Sequence, residues 1–328
     1  MTDPWPPGAC TGLGSLPGTD PIEASKLVLG ELPDLPHLPE LPDRGPGADL
    51  VGRGVALLVD LPTQWQLGRW SLTGAAGRDV RRACDWLRWD VDGFAELAQD
   101  ATVVKVQVCG PMTLAASVEL PNLHKVLTDH GAFRDLAASL AEGVRLHVAD
   151  IERRLPGAAV VLQVDEPSLP AVLAGQVPTP SGYGTVRALD VATARSALAA
   201  VLDAAGERRR VVHCCASDAP LRLLAEAGAS AVSVDADLLG SGQLDSIGEL
   251  VEAGVSLWLG VVPGVDARIS FEAVRDRVRT LWGRLGFEPG LLAQRVVATP
   301  ACGLAGASED YVRRAMAVLR EAGRSLAE

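Results

Sequence analysis

Apolar and polar positions along the chain fall into two alternating rhythms. Short β-branched runs, whose side chains would alternate between two faces, are separated by longer stretches with helical spacing. The runs are Val103 to Cys109, Ala159 to Val164, Arg210 to Cys215, Ala231 to Asp235, Val255 to Val262 and Arg295 to Thr299. Two weaker candidates precede them: the glycine-rich Thr11 to Pro17, and Pro36 to Leu41 inside the proline-studded stretch 33–47. Helices are expected at Pro21 to Leu32 with Asp20 as N-cap, Ala48 to Leu61, Arg78 to Ala98, Ala132 to Leu155 and Asp190 to Ala205. Further helices are expected at Ala219 to Ala227, Leu244 to Ala253, Phe271 to Leu285, Gly290 to Gln294 and Ser308 to Leu326.

Eight strands alternating with helices, with no hairpin among them, imply parallel strands joined by right-handed crossovers. That is the plan of an α/β protein of the (β/α)8 TIM-barrel type. The expectation is a single catalytic barrel over residues 11–328 behind an irregular, proline-rich arm at 1–10. A doubly wound open sheet is the alternative, but no dinucleotide fingerprint or phosphate-binding loop follows the first strand. Trp65 and Trp70, between two expected helices, read as packing residues.

Composition narrows the classes. The chain has 328 residues, 48% of them hydrophobic and 22% charged, enough for a sizeable core. A net charge of −11 argues against a nucleic-acid surface and against binding to an anionic membrane. No apolar run reaches membrane-spanning length. Six cysteines in such a length are too few for a disulfide scaffold and fit a reducing compartment. The start Met1-Thr2-Asp3-Pro4 has no basic region leading into an apolar core, so a cytoplasmic location is expected.

The chemistry gathers at strand ends. His213 and Cys215 lie two apart on one strand and so share a face, while Cys214 points the other way. Imidazole nitrogen and thiolate sulfur are the donors zinc prefers. Cys302 follows the last strand and Asp235 ends the sixth, each in a comparable position. In a barrel of this type the C-terminal strand ends carry the active site. Ser15, Asp165 and Glu166 would gather there too, with Glu40 or Asp43 at the pocket mouth. Glu166 reads equally as an acid orienting a ligand or as a cap on the following helix. Cys109 and Cys214 read as packing residues, and the loop Gly175 to Arg187 as a cover over the mouth.

Five blocks occur in one order: Thr11-Gly12-Leu13-Gly14-Ser15-Leu16-Pro17, Gly110-Pro111-Met112-Thr113, Gln163-Val164-Asp165-Glu166-Pro167, His213-x-Cys215 and Pro300-Ala301-Cys302-Gly303-Leu304. Together they resemble the C-terminal catalytic barrel of the cobalamin-independent methionine synthase family, over nearly the whole chain. The wider superfamily includes uroporphyrinogen decarboxylases and zinc thiol methyltransferases. The resemblance implies Zn2+ held by His213, Cys215 and Cys302, with Asp235 where the family has glutamate. It implies homocysteine bound near Ser15, its amino group on Asp165.

Full-length family members carry a second, N-terminal barrel that helps hold a folate polyglutamate, and this chain has no room for one. The donor expected by resemblance is therefore a methylcorrinoid, free or on a transient corrinoid protein, in preference to a methyl-folate. The family's histidine proton donor after the seventh strand is replaced by Gly260-Val261-Val262-Pro263-Gly264-Val265. Methyl transfer to another small thiol, a decarboxylase related to the porphyrinogen enzymes, and a barrel merely stabilised by zinc are the competing readings.

Overall fold

The computed structural model describes residues 3–328; Met1 and Thr2, the first two residues of the expected arm, lie outside that range. In chain order the elements are α1 (Pro21–Glu31), α2 (Leu50–Leu57), β1 (Thr63–Gln66), β2 (Arg69–Leu72), α3 (Arg78–Leu97), β3 (Val103–Cys109), α4 (Pro111–Ser117), α5 (His130–Arg154), β4 (Ala159–Asp165) and α6 (Leu169–Leu173). They continue with α7 (Val191–Asp203), β5 (Arg209–Cys214), α8 (Leu221–Glu226), β6 (Ala231–Asp235), α9 (Ser241–Glu252), β7 (Ser256–Val262), α10 (Phe271–Leu285), α11 (Leu292–Arg295), β8 (Val296–Pro300) and α12 (Glu309–Ala327).

Six strands, β3 to β8, form one curled parallel sheet in sequence order, each joined to the next through helix. The two weaker strand candidates touch its outer edges through single parallel bridges instead of ladders. Cys10 pairs with Ala298 on β8, Ser15 with Glu40, and His37 with Lys105 on β3. The hydrogen bonds are Leu16 N–H to Glu40 carbonyl at 2.9 Å, Leu38 N–H to Lys105 carbonyl at 2.9 Å and Lys105 N–H to Pro36 carbonyl at 2.8 Å. Pro36 and Pro39 have no N–H to give a ladder, which limits this pairing to isolated bonds.

One expectation fails in the stretch taken as mere packing. β1 and β2 form an antiparallel hairpin, with Trp65 opposite Trp70 and their rings 5.3 Å apart. The turn is Leu67-Gly68, both with positive φ (51° and 80°). Leucine rarely adopts this conformation, so the usual Asn-Gly or Asp-Gly signal is missing. Helix α2 is also shorter than expected, because Leu58 is already extended (φ −62°, ψ 129°).

Strand alternation divides the interior. One side of the sheet (Val104, Val106, Leu162, Val164, Val212, Cys214, Val232 and Leu259) packs under the helices in the main core. The opposite face, near the strand starts, forms a separate buried cluster of Val103, Val161, Val211, Ala231, Trp258 and Val297. Trp5, Ala9 and Leu35 close that cluster, and Trp5 meets Trp258 edge to face at 5.5 Å. From Asp3 onward the N-terminal segment has no helix or strand of its own and packs as a plug. Among the described residues no helix is long and apolar enough to cross a membrane.

Candidate metal centre and substrate cleft

Two residues further along the same faces, the side chains become polar. Val211 is followed by His213 and Cys215, Ala231 by Ser233 and Asp235, Val161 by Gln163 and Asp165, and Val103 by Lys105 and Gln107. His213 is buried at the end of β5, and Cys214 turns into the helix-covered core as alternation requires. Cys302 follows β8, where the Ala301 N–H donates to the Val262 carbonyl at 2.7 Å. The donor atoms of His213, Cys215 and Cys302 all lie within 4.8 Å of one another, and the two sulfurs are 3.4 Å apart. His213 Nδ1 is 3.0 Å from Ser233 Oγ, and its buried Nε2 has no hydrogen-bond partner.

These donors fit zinc. Bonds of about 2.3 Å to sulfur place two thiolates on a tetrahedron roughly 3.8 Å apart, within a few tenths of the spacing here. The Ser233 contact fixes one ring nitrogen and leaves Nε2 for the metal, as ligating histidines are commonly held. The Cys215 thiol 3.4 Å away and the adjoining His213 imidazole push the Cys302 thiol down to about 4, and the same sharing, with burial, pushes Cys215 up.

Asp235 stands apart from this trio. Half-buried at the end of β6, it accepts the Asp237 N–H at 2.8 Å, and the three-residue cluster does not include it. Burial raises its carboxyl, opposed by Arg277.

The trio borders a cleft of about 250 Å³ whose other walls carry Ser15, Glu40 and Asp165. Ser15 is locked to the Cys302 loop, its carbonyl accepting the Leu304 N–H at 2.8 Å. A Cβ on Gly303 would lie 1.9 Å from Ser15 Oγ, so only glycine allows that approach. Glu40 is buried with its carboxylate 3.2 Å from Arg53 Nε. Burial raises its carboxyl and Arg53 opposes the shift. Asp165 is buried, accepts from Gln163 Nε2 at 2.7 Å, and is pushed up to about 7 mainly by desolvation, with His213 opposing.

Two expected residues lie elsewhere. Asp43 accepts the Gly18 N–H at 3.0 Å and does not line the cleft. Glu166, expected as a catalytic acid or as a cap on the following helix, is fully buried and also outside the cleft lining. Its carboxylate accepts from the N–H groups of Met112 and Thr113, each at 2.9 Å, and from Thr113 Oγ1 at 2.7 Å. It therefore caps α4, a helix that precedes it in sequence. Gly110 leaves room for it, since a Cβ there would lie 2.3 Å from the carboxylate. Burial pushes Glu166 up to about 7 against those hydrogen bonds.

The geometry also brings in residues not singled out from sequence: Ser233 behind His213, and Lys105, Gln107 and Gln163 beneath the carboxylates. Their signal is a polar side chain on every second position of an otherwise apolar strand.

The family model described as "Cobalamin-independent synthase, Catalytic domain" matches residues 9–325. Among solved structures, a B12-independent methionine synthase from Shewanella sp. W3-18-1, in complex with selenomethionine, aligns over 98% of both chains with a TM-score of 0.62 and 14% identity. A psychrophilic family 10 endo-β-1,4-xylanase aligns over 89% of this chain and 85% of its own, with a TM-score of 0.44 and 9% identity. No curated protein matches the chain significantly. A family match over nearly the whole length means that the chain belongs to the cobalamin-independent methionine synthase family, as its catalytic domain.

Proposed function

We propose that the protein is a zinc-dependent thiol methyltransferase making methionine from homocysteine, on a closed (β/α)8 barrel. The single bridges from Cys10 to Ala298, Ser15 to Glu40 and His37 to Lys105 support closure by two short extra strands. The observation that carries the activity is the convergence of two sulfurs and one imidazole, within 4.8 Å, on a cleft that also holds Glu40, Asp49, Asp165 and Ser15.

Zinc bound by His213, Cys215 and Cys302 would supply Lewis acidity that keeps a substrate thiol ionised at neutral pH, where a free thiol (pKa about 8.5) is mostly protonated. Asp235 is the candidate fourth ligand, reaching in when the cleft is empty of thiol. Asp165 and Glu40 hold the substrate ammonium, and Ser15 binds beside them. Holding the amino acid at both ends brings its sulfur and the donor methyl carbon into line, a proximity contribution. The sulfur lone pair forms the new C–S bond while the donor keeps the electrons of the bond that breaks. The turn Gly260 to Val265 offers no titratable side chain before Asp266 to protonate a leaving amine. A methylcorrinoid, free or carried by a transient corrinoid protein, leaves without needing that proton, and this favours it over a methyl-folate.

The test is zinc content of the purified protein, followed by X-ray absorption at the zinc edge with and without L-homocysteine. One zinc per chain that gains a sulfur neighbour on adding homocysteine is expected, with methyl transfer from methylcobalamin exceeding that from methyl-folates. A metal shell indifferent to homocysteine rejects the activity, and turnover with methyl-folate alone rejects the donor. Binding of other small thiols as tight as that of homocysteine would move the acceptor to a broader thiol class.

A further inference from the structure

Lysine is almost never fully buried unless its charge is satisfied, yet Lys105, in the middle of β3, has no exposed surface. Its Nζ donates to Gln163 Oε1 at 2.7 Å and to Gln107 Oε1 at 3.3 Å. Nζ is the donor in both bonds, so both glutamine carbonyls face it and both amide NH2 groups point away. The two NH2 groups have definite destinations. Gln163 Nε2 donates to Asp165 Oδ1 at 2.7 Å and to the Leu13 carbonyl at 2.9 Å. Gln107 Nε2 donates to the Leu38 carbonyl, and Gln107 also hydrogen-bonds Glu40. One buried lysine thus meets the carbonyl ends of two amides, of which Gln163 donates to Asp165 and Gln107 stands beside Glu40.

We infer that Lys105 is a positioning residue for recognition of an amino-acid substrate: acting through Gln107 and Gln163, it aims Glu40 and Asp165 at the substrate ammonium. The side-chain hydrogen bonds of Lys105 go to Gln107 and Gln163. Its influence is confined to the amino-acid end of the substrate. Without it, each glutamine keeps its backbone acceptor, Leu13 or Leu38, but loses the donor that fixes its carbonyl end. This inference rests on the proposed binding of homocysteine in the cleft.

The experiment is calorimetry of the zinc-loaded protein with L-homocysteine and with 4-sulfanylbutanoate, which keeps the thiol and carboxylate but lacks the amine. In Lys105→Met, affinity for homocysteine should fall roughly 10–100-fold, the range of a lost charge-assisted hydrogen bond. Affinity for 4-sulfanylbutanoate should stay within about twofold, because its thiol and carboxylate contacts are untouched. Gln163→Met, which leaves Lys105 in place and cuts its link to Asp165, should show the same selectivity and serves if the lysine variant does not fold. Equal losses for both thiols, or no loss for either, would overturn the inference while leaving the proposed activity standing. A wild-type protein that binds neither thiol would overturn both.

Discussion

The strands β3 to β8 present one inward face with two ends of different chemistry. At their starts this face carries Val103, Val161, Val211, Ala231, Trp258 and Val297, plugged by Trp5. Two residues on, the same strands carry Lys105, Gln163, His213 and Ser233, all buried. The backbone is equally regular at both ends, so the fold does not distinguish them. What differs is the means of satisfying buried groups. The apolar end rests mainly on close packing, though the buried Trp258 Nε1 there also lacks a partner. The polar end needs every donor and acceptor matched, since an unmatched buried group costs about 1–3 kcal/mol. His213 Nε2 is buried without a partner in the residue trio that also brings two sulfurs together, and that combination points to an outside atom there. The apolar end should therefore tolerate loss of metal, and the polar end should lose function before it loses fold.

The largest effect expected is at the polar end. Structural zinc sites contribute about 10–16 kcal/mol in all, so one of three protein ligands carries on the order of 4–5 kcal/mol, more than about 1000-fold in affinity. Cys302→Ser should purify without zinc and without methyl transfer, while its urea midpoint in the metal-free state matches that of the metal-free parent. Normal zinc content in this variant would remove Cys302 from the site. The mirror experiment is Trp258→Ala, which should cost about 3–5 kcal/mol in urea unfolding and leave zinc stoichiometry at one. If it released the metal, the two ends would not be separable.

A third prediction lies outside both ends and calibrates them. His147 on α5 is buried with Nε2 unpartnered, and burial pushes it down to about 4 from an ordinary 6.5. The unfolded chain therefore takes up a proton before the folded one does. Stability from this group is complete above about 6.5 and is lost as pH falls towards 4, at most about 3 kcal/mol. His147→Leu should flatten that acid limb in urea titrations between pH 7 and 4.5. An unchanged slope would mean that other groups govern acid unfolding.

Much of this was legible in the residues. His213, Cys215 and Cys302 could be placed together because alternation fixes which side chains share a face and because sulfur and imidazole suit one metal. The six sheet strands were legible because each is a β-branched run. The Trp65–Trp70 hairpin was not, since Leu67 takes a positive φ that its side chain does not advertise. The destination of Glu166 was hidden for another reason. Its partners Met112 and Thr113 lie more than fifty residues upstream, and only the pairing of β3 with β4 brings them within reach. Lys105 was visible as a charge inside a strand, but its partners lie on the same face of that strand and its neighbour, and face-to-face pairing requires the register.

The smallest effect tests the finest part of the comparison, whether the polar end is ordered by the metal or ready for it. Ser233 touches His213 Nδ1 from the neighbouring strand, with His213 and Ser233 in direct register. That contact holds the imidazole in one orientation. Ser233→Ala removes it while leaving all three ligands and the apolar end intact. Outer partners of ligating histidines are worth about 10–100-fold in metal affinity, and the neutral hydroxyl contact here belongs at the lower limit. Competition with a chelator should show zinc bound about tenfold less tightly, with thermal stability of the metal-free protein little changed. If the metal-free protein were instead destabilised as strongly as by a core truncation, Ser233 would belong to the packing of the sheet. Affinity unchanged within error would mean that the cysteines alone hold the imidazole in line.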